Sequence, residues 1–169
     1  MKKIVLTYGL ISGGIAAAIM LGTLPFLHLF EGYQNYVVGY TGIVLSALLI
    51  FFGVRSYREN VGNGKISFGR GFAVGILIAL ISAACYVAAW EVVYYKLSPG
   101  FADKIFDKEV QQLKASGAPQ VQIDEKARQV ESFKKLYANP LVNVCFTFIE
   151  PFPVGLLMTL ISAVILRRR

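Results

Sequence analysis

Glu150-Pro151-Phe152-Pro153-Val154-Gly155 interrupts the last long apolar run of this chain, about 141–166. Proline has no backbone N–H, so Pro151 cannot bond the carbonyl of Thr147, nor Pro153 that of Ile149. Lipid offers no partner to those carbonyls or to the Glu150 carboxyl. The piece after Pro153 is too short to span alone, because a span needs about 20 apolar residues. The reading that follows is a transmembrane helix broken within the bilayer, its break facing protein or a small water-filled cavity. Pro151 and Pro153 mark the helix break.

The rest of the chain is read outward from that span. Of 169 residues, 56% are hydrophobic and only 16% charged, against about 25% charged in a typical soluble domain. Mean hydropathy is +0.58. Three further apolar runs precede the broken one, at about 4–30, 36–54 and 71–95. The run after Met1-Lys2-Lys3 far exceeds the roughly 7–15 apolar residues of a signal peptide, so it reads as a retained first span. Together these predict an all-α polytopic membrane domain over 1–169, with four transmembrane helices and the lipid bilayer as its first partner.

Small residues recur within the spans. Gly9 and Gly13 in the first and Gly71 and Gly75 in the third are four apart, a spacing that lets helices approach closely. They are read as helix-packing positions. Pro25 is expected to kink the outer end of the first span, near His28. Tyr33, Tyr36 and Tyr40, and then Trp90, Tyr94 and Tyr95, sit where an interfacial aromatic belt falls. Between the second and third spans, 55–70 reads as a polar loop with four basic residues and one acid. Gly62-Asn63-Gly64-Lys65-Ile66-Ser67 within it is faintly similar to a phosphate-binding loop. Its glycines are too close for that motif, and Asn63-Gly64 reads better as a turn.

The 96–140 stretch is the one long polar segment. Ser98-Pro99 reads as a helix start. Phe101, Ile105, Val110 and Leu113 form one helical stripe, and Ile123, Ala127, Val130, Phe133 and Tyr137 a second. Gly117-Ala118-Pro119 marks the turn between them, and Asn139-Pro140 the end. A helical hairpin inserted between spans three and four is expected.

Net charge is +7, but its placement argues against nucleic acid. Lys2, Lys3, Arg55, Arg58, Lys65, Arg70, Arg167, Arg168 and Arg169 all flank apolar runs, as cytoplasmic anchors do. An even number of spans then puts both termini in the cytoplasm and the hairpin outside. The hairpin itself carries eight basic and six acidic residues. By raw basic count it opposes this orientation; the density of Arg and Lys at the other flanks favours it. Cys85 and Cys145 fall at different depths of their runs, which disfavours a disulfide; buried free thiols are expected.

A resemblance joins these features. Tyr8-Gly9-Leu10-Ile11-Ser12-Gly13-Gly14, Ile66-Ser67-Phe68 leading to Gly75, and Asn139-Pro140 are three of its markers. Thr147-Phe148-Ile149-Glu150-Pro151-Phe152-Pro153-Val154-Gly155 with Leu160-Ile161-Ser162-Ala163 is the fourth and most distinctive. Over nearly its whole length the chain resembles domain-of-unknown-function family forty-one ninety-nine, small bacterial inner-membrane proteins. The resemblance implies a four-helix membrane protein and supplies no activity, cofactor or catalytic residue.

Ionisable residues inside membrane spans are costly and mark function by default. Three qualify: His28, Glu91 and Glu150. Counting about 1.5 Å per residue from the outer boundary gives depths of roughly 3, 6 and 14 Å. His28 and Glu91 share a level near the surface. Glu150 shares its level with Tyr86, whose hydroxyl is a candidate partner. The bland alternatives are an interfacial polar residue for His28, contact with water or Lys96 for Glu91, and a neutral acid donating to a freed carbonyl for Glu150. One histidine and no Cys/His/acid cluster point to no metal site, and no cofactor is implied. The functions that fit are, in order, a non-catalytic scaffold, assembly factor or accessory subunit acting with a second copy or other membrane proteins, a small proton- or ion-coupled transporter using Glu150, and an intramembrane enzyme.

Overall fold

The computed structural model describes residues 1–24, 33–97 and 99–168. The fold is all-α. Helix α1 is Lys2–Thr23, α2 is Tyr33–Asn60 and α3 is Phe68–Val92, which a π-helical turn, Val93–Leu97, extends. Then come α4, Phe101–Ala115, and α5, Gln120–Tyr137. The last run is split into α6, Pro140–Ile149, and α7, Pro151–Ile165. Among the described residues four stretches are long and apolar enough to cross a membrane: Lys2–Thr23, Val37–Asn60, Phe68–Leu97 and Pro140–Ile165. This is a multi-pass membrane protein.

Several boundaries differ from the sequence reading. Helix α2 runs on to Asn60 and α3 starts at Phe68, so the polar loop shrinks from 55–70 to 61–67. Arg55 and Arg58 sit on helix because their charges reach water from its end, with Glu59 as a partner at 3.0 and 3.1 Å. Helix α4 starts at Phe101, not at Pro99; Gly100, at φ 77°, is the residue before it. A left-handed residue there breaks any helix begun at Pro99. Pro25 and His28 and the side chains of Tyr33, Tyr36, Phe101 and Ile105 lie outside the described residues. Cys85 is half-buried and Cys145 exposed, both as free thiols, so the expectation of two buried thiols is corrected. Cys145 sits on an apolar helix surface, where lipid replaces a protein interior.

The chain divides into two compact units, Met1–Ala89 with Thr147–Arg169, and Trp90–Phe146. The first is a four-helix unit built from α1, α2, most of α3, and α7. Its buried positions are small and recur at helical spacing: Val5, Gly9, Ser12, Gly13 and Ala16 on α1. On α3 and α7 the match is tighter. A Cβ placed on Gly75 would stand 2.8 Å from Thr159, one on Gly71 3.4 Å from the Ala163 backbone, and one on Gly155 3.0 Å from Ala79. Gly71, Gly75 and Ala79 therefore run antiparallel to Ala163, Thr159 and Gly155, small residue on small residue. Helix α1 meets α3 the same way: a Cβ on Gly9 would lie 2.8 Å from Ile81, and one on Gly13 2.4 Å from the Cys85 Cβ. Gly53, with Ile78 and Tyr8 against it, and Gly42, against Ile19, extend the pattern to α2.

Hydroxyls tie the same helices. Ser12 Oγ, fully buried, donates to the Ser46 carbonyl at 2.8 Å and lies 2.9 Å from Ser82 Oγ, so one side chain joins α1, α2 and α3. Thr159 and Ser162 donate to carbonyls one turn back on their own helix, Gly155 and Met158. Their polar atoms are thereby satisfied without leaving the packed face.

The second unit is organised differently. Ile123, Val130 and Tyr137 of α5 are buried. Tyr137 lies edge-on to Tyr94 at 5.7 Å and Phe106 at 6.0 Å, and stacks on Phe133 at 5.6 Å. Phe133 meets Phe106 at 5.1 Å and Phe146 at 5.3 Å. Phe106 is not in the sequence stripe, yet it reaches these rings from α4. The hairpin turns at Gly117, φ 73°. Lys134–Asp107 and Lys126–Glu109 pair across α4 and α5 at 2.7 and 2.8 Å. Asn139 ends the hairpin and also starts α6: its Oδ1 accepts the Leu141 N–H at 3.0 Å, with Pro140 first in the helix.

Candidate functional site

The membrane break is built by its prolines. Pro151 opens α7 and Pro153 follows within its first turn, where amide protons lack intrahelical partners and proline costs least. Glu150 between α6 and α7 keeps helical dihedrals, φ −65° and ψ −58°. The break therefore removes hydrogen bonds without reversing the chain. Counting from Pro140, Glu150 lies about 15 Å along the span, near the middle of a bilayer core of about 30 Å.

Tyr86 of α3 donates its hydroxyl to Glu150 Oε2 at 3.0 Å. These two polar groups, 64 residues apart in sequence, share one level because α3 and α7 run antiparallel on their small-residue faces. Sequence reading puts this break against protein or a small cavity. Within the single chain the Glu150 side chain is instead exposed, and Tyr86 half-buried. The α7 surface below it is apolar: Leu157, Ile161 and Val164 are all more than 40% exposed. The unit's interior lies elsewhere, filled by Ile50, Val54, Val74 and Ile78, each at most 1% exposed.

Glu91 belongs to the other unit. Its Oε1 is buried with no hydrogen-bond partner among the described residues. His28 lies outside those residues, so its pairing with Glu91 stays an expectation of the sequence. Among the described residues no three His, Cys, Asp or Glu side chains come together as metal ligands. Gly9, Gly13, Gly71 and Gly75 all stand at close helix contacts, as given above. The sequence reading missed their counterparts Gly53 and Gly155. Gly155-x3-Thr159-x3-Ala163 carries the same four-residue spacing and is its available signal.

One family model matches, over residues 7–168, and its description is "Protein of unknown function (DUF4199)". The match covers most of the chain, which therefore belongs to that family. No curated protein and no solved structure matches it.

Proposed function

We propose that this DUF4199 protein is a non-catalytic subunit of the bacterial inner membrane that associates laterally, through the Glu150–Tyr86 face, with a second copy or another membrane protein. The exposed acid at mid-span carries this reading. A carboxyl at the bilayer centre is costly in contact with lipid. Tyr86 supplies one hydrogen bond and leaves the other oxygen open. A partner helix laid along Glu150, Leu157 and Val164, seven residues apart, covers that oxygen and the apolar ridge together.

A photo-crosslinking residue at Leu157 in native membranes tests it. Adducts with protein are expected, retained in Glu150→Gln and reduced in Glu150→Leu. Lipid adducts alone refute the proposal. The second reading, a proton-coupled transporter, draws on the acid at a broken helix, a recurring form of membrane ion site. Its mark is proton flux in liposomes that Glu150→Gln abolishes with folding intact.

For orientation we infer cytoplasmic termini and an extracytoplasmic hairpin. Val5, Tyr57, Ile66 and Leu166 share one core cluster, which gathers Lys2, Lys3, Arg55, Arg58, Lys65, Arg70, Arg167 and Arg168 at one end with Glu59 as the acid among them. Such a bias favours the cytoplasm. After replacement of Cys85 and Cys145, an impermeant thiol reagent on intact cells should label a cysteine at Ser116 and spare one at Asn63.

A further inference from the structure

At that basic end, the 61–67 loop folds into a defined shape. Lys65 N–H donates to the Gly62 carbonyl at 2.9 Å across Asn63 and Gly64. Both central residues have positive φ, 50° and 81°, as in the tight turns that favour Asn-Gly. A side chain at Gly62 would clash with the Lys65 carbonyl, its Cβ only 2.1 Å away. The following residue, Ile66, is buried. It forms a two-bond antiparallel bridge with Arg168, N–H to carbonyl at 2.9 and 3.0 Å. The backbone after α7 is thus fastened to the loop before α3. That bridge holds Arg168 beside Lys65 and Arg70 around a pocket of about 370 Å³, completed by Tyr57, Ile66 and Ser67.

None of the pocket's lining residues is acidic. Glu59, the acid at this end, is engaged by Arg55 and Arg58. Among the described residues Lys65, Arg70 and Arg168 make no ion pair. Three cations line one cavity, with the backbone of Lys65 and Arg168 fixed by the turn and the bridge. Like charges so placed repel one another and gain by binding an anion. We infer that this pocket binds a phosphate group, supplied by the headgroup of an anionic phospholipid. The geometry fits a headgroup because the pocket sits where α2 and α7 end and α3 begins, at the level where apolar spans meet water. Basic pockets between helices at that level take anionic headgroups. Phe68 and Val61 beside it are 39% and 49% exposed and offer apolar surface to an acyl chain. The glycine-rich loop before α3 thus contributes Lys65 and a rigid turn, without the spacing of a nucleotide-binding loop.

The test uses the full chain in a neutral detergent, titrated with short-chain phosphatidylglycerol, with phosphatidylcholine, and with inorganic phosphate. Binding is counted by native mass spectrometry and by thermal shift. Each cation near a lipid headgroup is worth about fivefold in affinity, so Lys65→Gln/Arg70→Gln/Arg168→Gln should weaken phosphatidylglycerol binding on the order of 100-fold. The equal-charge control Lys2→Gln/Lys3→Gln/Arg167→Gln should stay within about threefold. Arg70→Gln and Arg168→Gln singly, which keep the backbone bridge, guard against a triple variant that fails to fold. Stabilisation by inorganic phosphate with no preference for phosphatidylglycerol, lost in the pocket variants, sustains the phosphate site but overturns the lipid as its source. Equal loss in pocket and control variants, or equal binding of both lipids with no effect of phosphate, overturns the inference.

Discussion

The four-helix unit and the hairpin unit solve the same problem, holding helices together, with opposite materials. In the first, Gly71, Gly75 and Ala79 face Ala163, Thr159 and Gly155, and a buried Ser12 hydroxyl binds three helices. In the second, the rings of Tyr94, Phe106 and Phe146 gather around Tyr137 and Phe133, and lysine–carboxylate pairs decorate the outside. Lipid is as apolar as leucine, so helices in it gain little by hiding large side chains; close approach and hydrogen bonds remain. A polar segment such as the hairpin can still profit from burying aromatic area against water. The difference shows which solvent each unit is built for.

Four substitutions separate the two modes, taken from the largest expected effect down. Tyr137→Ala removes the ring shared by Tyr94, Phe106, Phe133 and Phe146. It should destabilise the hairpin by about 3 kcal/mol, read as lost amide-exchange protection across α4 and α5. Protection that instead falls throughout α1 and α2 contradicts the separation of the units. Gly13→Ala forces its new Cβ onto the Cys85 Cβ and should cost about 1–3 kcal/mol. Cys85→Gly should restore most of that loss in the double variant. Gly14→Ala on the same helix meets nothing within 4 Å and serves as the neutral comparison. Unfolding in mixed micelles measures all three.

Ser12→Ala deletes the bonds to Ser46 and Ser82 and should cost about 0.5–1.5 kcal/mol, since hydroxyl bonds between membrane helices are modest. A loss above that of Gly13→Ala would make hydrogen bonding, not close approach, the main device of the first unit. The smallest effect belongs to the hairpin surface. Lys134→Ala breaks the pair with Asp107 and should change stability by at most about 1 kcal/mol. Glu131 tests the same surface by pH. Lys135, bonded to it at 2.9 Å, holds its carboxyl below the usual glutamate range. The depressed value means that this pair contributes above the ordinary carboxylate pKa and is lost as pH falls through the lowered one. A carboxyl-carbon NMR titration should show that low midpoint with the hairpin still folded. An ordinary midpoint would show that the pair does not persist in solution.

Much of this was legible in the chain. Four apolar runs of spanning length, basic flanks and two amphipathic stripes around Gly117 leave few alternatives, because lipid forces every backbone group into helical bonds. Pro151 and Pro153 localise the break, since a missing N–H is a property of the residue itself. Gly9, Gly13, Gly71 and Gly75 announce close packing, although not against which partner.

What only the tertiary structure decided is who faces whom. That Gly13 meets Cys85 and Gly75 meets Thr159 depends on the relative rotation and register of helices, and small residues leave many rotations open. That Phe106, outside the sequence stripe, joins the aromatic cluster follows from the crossing of α4 and α5. Arg168 was readable as a basic flank, but its bridge to Ile66 is backbone pairing across about a hundred residues, which carries no side-chain signature. Glu150 was found from its neighbours in sequence. Its exposure beside Tyr86 was not, because burial belongs to the packing of three-dimensional neighbours and the local chain does not encode them.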